Sequence, residues 1–124
     1  MIIGVGIDII EVDRVAEKIL SGNGFRDRVF SALEIDFCES KSGRVQHYAA
    51  RFAAKEAFLK AAGIGLTASY DLHEIEVTTD DLGKPSITLK GNFLTLGQEK
   101  AWNKIHLSIS HVQAVACAVV ILEQ

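Results

Sequence analysis

The chain has 124 residues, a net charge of −3, 48% hydrophobic and 23% charged residues, one proline and two cysteines. This is the balance of a soluble globular chain of one-domain size, 1–124, and an acidic surplus argues against general nucleic-acid binding, which needs a basic surface. The longest apolar run, residues 114–122, is too short to cross a bilayer, and the chain does not open on a basic stretch followed by a cleavable apolar one, so no membrane partner and a cytoplasmic location are expected.

Residues 1–10 are a β-type run rich in isoleucine. Alternate residues of a strand share a face, so Ile3, Val5, Ile7 and Ile9 take one side and Gly4, Gly6 and Asp8 the other. A glycine-lined side invites close approach by another backbone or a ligand. The pair is not a dinucleotide fingerprint, because Ile9 stands where a third glycine would fall. Asp8 ends the cleared side; it reads either as a site carboxylate or as the N-cap of the helix expected over residues 11–20. That helix carries Arg14 and Lys18 one turn apart, and Ser21-Gly22-Asn23-Gly24 ends it. Phe25, Arg26 and Arg28 follow in a short stretch mixing apolar and basic side chains, which are ordinary solvated charges unless a partner claims them. Ser31-Ala32-Leu33-Glu34 has the form of a capping box and starts another helix.

A long helix is expected from about Ser42 to Gly63, rich in Ala, Leu, Lys and Glu and stopped by glycine. Val45, Tyr48, Ala49, Phe52 and Leu59 form its apolar stripe, with Glu56 inside it and Arg51, Lys55 and Lys60 as outward bases beside it. An inward carboxylate is costly without compensating positive charge. The plain account is a rim position paired with Lys60 at i+4. A loop follows over residues 64–70. Strands are expected at 72–78 and 86–90 around Gly83-Lys84-Pro85, a helix at 92–102, and strands at 105–110 and 114–122 joined around His111, itself an ordinary turn residue on local grounds. Cys117, inside the last apolar run, is expected in the core. The expected class is α+β, a largely antiparallel sheet with a long central helix packed on it.

Gly6-Ile7-Asp8-Ile9 with Glu11 and Arg14, Phe30-Ser31-x-x-Glu34, Arg51-Phe52-Ala53-Ala54-Lys55-Glu56-Ala57 with Lys60-Ala61, Gly83-Lys84-Pro85, and Ser108-Ile109-Ser110-His111 together resemble holo-[acyl-carrier-protein] synthase, the small bacterial 4′-phosphopantetheinyl transferase. The resemblance runs nearly end to end, with Val112 and a shortened connection after His111 as its departure. It implies transfer of 4′-phosphopantetheine from coenzyme A to a serine of apo-acyl carrier protein, with release of adenosine 3′,5′-bisphosphate, in fatty acid biosynthesis. It implies Mg²⁺ held by Asp8 and Glu56, an ion that takes few protein carboxylates alongside phosphate oxygens. Lys55 and Lys60 would offer charge to the pyrophosphate, with Glu56, Lys60 and Asp8 forming the catalytic group. The proton acceptor would be Glu56, directly or through a water that Glu34 helps to order. Arg51 and His111 would meet the 3′-phosphate, and Lys84, Pro85 and Gly63 would line the nucleotide slot. Arg14, Lys18, Phe25, Arg26 and Arg28 would dock the acidic carrier. A homotrimer with active sites between subunits is implied, with 107–109 and 114–122 as its central contact. The same carboxylates would equally serve another Mg²⁺-dependent phosphoryl-transfer enzyme, or be structural in a trimeric binding module.

Overall fold

Two glycines decide how the main helix meets the main sheet in the computed structural model, which describes residues 1–65 and 71–124. The elements run β1 (Ile2–Glu11), α1 (Val12–Leu20), α2 (Phe25–Val29), α3 (Ala32–Glu39), α4 (Arg44–Ala62), a 3-10 turn (Leu72–Glu74), β2 (Ile75–Thr79), β3 (Pro85–Leu89), α5 (Gly91–Glu99), β4 (Lys104–His111) and β5 (Val115–Glu123). Among the described residues the strands make two antiparallel sheets, β1-β5-β4 and β2-β3, so the α+β class holds with the strands divided between two sheets. The loop expected at 64–70 lies, from residue 66 on, outside the described residues. No described helix is long and apolar enough to cross a membrane.

α4 lies on the glycine side of β1. A Cβ on Gly4 would stand 2.0 Å from the carbonyl oxygen of Ala61, and one on Gly6 would stand 2.0 Å from that of Ala57. The approaching backbone that the glycines admit is therefore the helix itself. Gly6→Ala should force sheet and helix apart and cost about 1–3 kcal/mol or more; an unaltered melting temperature would refute so close a packing. The isoleucine side is left outward, with Val5, Ile7 and Ile9 61–72% exposed.

α4 is dry around most of its circumference: Tyr48, Ala49, Ala53, Ala54, Ala57 and Phe58 are all fully buried. Its end is a Schellman close, Gly63 at φ 73° donating to Lys60 O and Ile64 N–H to Leu59 O, so the glycine stop falls where expected. Ser31 caps α3 as its sequence indicates: Glu34 N–H donates to Ser31 Oγ at 3.3 Å and Ser31 N–H to Glu34 Oε1 at 2.8 Å.

Several expectations are corrected. β1 runs on through Glu11, which precedes α1 without capping it, so Asp8 is a strand residue opposite Ala118 and no N-cap. α5 stops at Glu99, and Trp102 instead folds back edge-on to Phe58 beyond the positive-φ Ala101. Cys117 alternates onto the outer face of β5 and is half-buried, while Cys38 is the core thiol, pushed up to about 12 by burial. Leu107 and Ile109 pack inward against the core, so the apolar outer face comes from β1 and β5.

Candidate active site

The glycine side of β1 that admits α4 also carries Asp8 at the end of the helix's path. One turn of α4 beyond Phe52 comes Glu56, and the two carboxylates line one open cleft of about 480 Å³ with Arg14, Lys18, Val15 and Phe52. Lys60 does not lie along its own helix; its Nζ donates to Ile7 O at 3.0 Å and to Asp8 Oδ1 at 3.1 Å, tying α4 to β1. Burial first, and then the charge of Asp8, raise the Glu56 carboxyl above its ordinary value, with Lys60 and Lys18 opposing. A half-buried carboxyl penalised by burial and by the acid beside it is part of a donor set that a cation would relieve.

Among the described residues no group of three or more His, Cys, Asp and Glu gathers as a metal cage. A pair of hard oxygen donors beside open space fits Mg²⁺, which keeps several waters and takes phosphate oxygens, better than ions that demand a full protein shell.

Lys55 departs from the expectation for it. It is no outward base: its side chain is fully buried, ion-paired to Glu34 Oε1 at 2.8 Å, and its Nζ also donates to the carbonyls of Leu72 and Ile75. Glu34 Oε2 accepts from Val77 N–H at 2.9 Å, so both residues spend their polar atoms joining α3 and α4 to β2. Neither lines the acid cleft. The roles expected for them at the pyrophosphate and at a catalytic water are therefore withdrawn.

Arg51 is likewise buried rather than outward, and it faces a different cleft, of about 360 Å³, with Phe37, Lys41, His47, Pro85 and His111. The fold thus brings Arg51, Pro85 and His111 together. Lys84 stands exposed in the β2–β3 turn, where its N–H donates to Asp80 Oδ1, and Gly63 closes α4; both lie outside the walls of this cleft.

The expected docking residues divide. Arg14 is exposed on the rim of the acid cleft, and Lys18 stands over the rings of Phe25 and Phe52 at 5.4 and 5.7 Å. Phe25 is 9% exposed and packs beneath Lys18, so it shapes the face without presenting itself. Arg26 turns to Asp27 and Glu39, and Arg28 donates to Asn23 O. Two residues of the second cleft, Lys41 and His47, had not been singled out from the sequence. His47 was legible in principle, because it precedes Arg51 by four residues and so shares its face of the helix.

The sequence pattern of the 4′-phosphopantetheinyl transferase superfamily matches residues 4–120. A holo-[acyl-carrier-protein] synthase of Geobacter sulfurreducens is 43% identical over 125 residues, covering 100% of this chain and 99% of the relative. The crystal structure of holo-[acyl-carrier-protein] synthase from Neisseria meningitidis superposes with a TM-score of 0.89 at 31% identity, over 100% of both chains. That of a holo-(acyl-carrier-protein) synthase from Bacillus anthracis, in complex with coenzyme A (3′,5′-ADP), gives 0.79 at 38% identity over 98% of this chain and 96% of the other.

Proposed function

The chain belongs to the 4′-phosphopantetheinyl transferase superfamily, among its holo-[acyl-carrier-protein] synthases, and on that footing we propose that it moves 4′-phosphopantetheine from coenzyme A to a serine of apo-acyl carrier protein, for fatty acid biosynthesis. The serine oxygen forms a bond to the β-phosphorus; the bond from that phosphorus to the bridging oxygen breaks, and adenosine 3′,5′-bisphosphate leaves with the electron pair. The observation that carries the reading is the convergence of Asp8 and Glu56, 48 positions apart in the chain, on one open cleft.

Asp8 and Glu56 would hold Mg²⁺, which when bound polarises the pyrophosphate and offsets the negative charge that develops on it. Lys60 fixes Asp8 against β1, and its half-exposed ammonium stands ready for a phosphate oxygen. Glu56, whose carboxyl is raised by burial, takes the serine proton directly or through a water. Incubation with coenzyme A, Mg²⁺ and an apo-carrier protein, followed by mass spectrometry of the carrier, tests the whole. Gain of the phosphopantetheine mass supports it; hydrolysis of coenzyme A without transfer, or no change at all, overturns it.

Arg14, exposed on the rim beside Lys18, is the docking residue best placed for an acidic carrier. Arg14→Glu should raise the carrier KM at least about tenfold with little change in kcat, as reversal of a rim charge chiefly affects encounter. An unchanged dependence of rate on carrier concentration would remove Arg14 from that role.

Arg51 and Glu56 stand five residues apart, about 7.5 Å along the helix and about 140° around it. A nucleotide meeting both would therefore lie where the acid cleft of one protomer faces the second cleft of another. This supports a homotrimer with shared sites, and the exposed row Ile3, Val5, Ile7 and Ile9 is an apolar face that such an assembly would cover. On dilution, specific activity should fall together with faster thiol labelling of Cys117, which lies opposite Ile9 on that face. Constant specific activity through the range where Cys117 becomes reactive would exclude a shared site.

A further inference from the structure

The second cleft holds two more basic side chains, Lys41 and His47, beside Arg51 and His111. Arg51 is 4% exposed; its Nη2 donates to Thr79 Oγ1 at 3.0 Å, its Nε has no hydrogen-bond partner, and among the described residues no carboxylate lies within ion-pair distance of it. A guanidinium buried on those terms favours an anion. Around it stand Lys41, from the turn after α3, and the rings of His47 and His111, with centroids 5.8 Å apart. Phe37 sits edge-on to His47 at 5.4 Å and lies under Arg51 Cζ at 4.2 Å. His47 is thus faced by Phe37 from α3, Lys41 from the turn, Arg51 from its own helix and His111 from β4. Of the acids nearby in sequence, Glu39 is engaged with Tyr48 and Arg44 and Asp80 with the N–H groups of Leu82 and Lys84, while Asp36 is exposed and lines an adjoining cleft with Arg51, beyond ion-pair distance of it.

We infer that His47 is a further recognition residue for the phosphate monoester of the nucleotide, and that it holds this phosphate as a cation, so that discrimination for the monoester is coupled to proton uptake. The inference rests on the reading that this cleft takes a 3′-phosphorylated nucleotide. Burial, then Arg51, His111 and Lys41, hold the His47 imidazole below its ordinary value. A dianion placed beside Arg51, Lys41 and the two imidazoles reverses that balance. The bound state then has the higher pKa, so the coupling is fully present below the free value and is lost as pH rises through the bound one.

Calorimetric titration with adenosine 3′,5′-bisphosphate and with adenosine 5′-monophosphate, from pH 5.5 to 8.5, isolates the 3′-phosphate as the ratio of the two affinities. The monoester's own second ionisation near pH 6 makes that ratio rise at the acid end whatever the protein does. For the wild type the ratio should peak near pH 6 to 6.5 and fall by roughly tenfold towards pH 8.5, with proton uptake seen between buffers of different ionisation enthalpy. His47→Lys, charged throughout, should hold a plateau above pH 6.5, and His47→Gln should be low throughout. A wild-type ratio flat above pH 6.5, or a His47→Gln ratio equal to that of the wild type, overturns the inference. A protein that shows the coupled discrimination yet transfers no phosphopantetheine overturns the proposed reaction and leaves the role of His47 standing.

Discussion

Lys55→Met should destabilise the protein by about 3–5 kcal/mol, the usual cost of removing one member of a buried ion pair. The substitution leaves the Glu34 carboxylate, 1% exposed, with only the N–H groups of Ser31 and Val77, and strips a donor from the carbonyls of Leu72 and Ile75. Against a total stability of about 5–15 kcal/mol for a domain, that is a large share. Adding Glu34→Gln should recover part of it, since glutamine keeps the capping box and removes the uncompensated charge. Urea unfolding measures both. The opposite result, an unchanged midpoint with a collapsed kcat, would return Lys55 to the pyrophosphate and contradict the buried pair.

That prediction turns on the bases of the long helix, Lys55 and Arg51 above all, which its sequence misrepresents as outward. Its extent, its glycine stop and the Ser31 capping box were legible, because each depends on local backbone chemistry. Lys55 was placed outward because a helical wheel assumes one dry stripe, whereas α4 is enclosed by β1 and β5 on one side and by α1, α3 and β2 on others. In such a helix the alanines mark close approach all round, and a lysine on any flank is drawn inside if an acid waits there. Asp8 was open between cap and strand for a related reason: β1 continues past it only because β5 pairs with it as far as Glu11↔Val115, a long-range fact. The glycine alternation foretold a close approach to β1 but not which backbone makes it. The meeting of Asp8 with Glu56 came from resemblance rather than periodicity, since two elements this far apart in sequence carry no mutual signal.

Glu56→Gln should abolish transfer while leaving the protein as stable as the wild type or slightly more so. Its carboxyl is penalised in the folded state by burial and by the neighbouring charge of Asp8, so neutralising it relieves both. A residue kept charged against its own environment points to a function that needs the charge. Asp8→Asn should also be inactive, without that gain, because it gives up the charged contact to Lys60 at 3.1 Å. For Glu56→Gln the loss expected from removing a positioned proton acceptor alone is about 10²–10⁴-fold, and in both variants loss of Mg²⁺ would add to the defect. Thermal melts in coenzyme A with and without Mg²⁺ give a readout independent of turnover: Mg²⁺ should raise the melting temperature of the wild type and leave both variants unmoved. Activity retained at saturating Mg²⁺ would strike that residue from the site. If both variants still showed the Mg²⁺-dependent rise, the two carboxylates would be neighbours without a shared ion, and the chemistry would have to be sought elsewhere in the cleft.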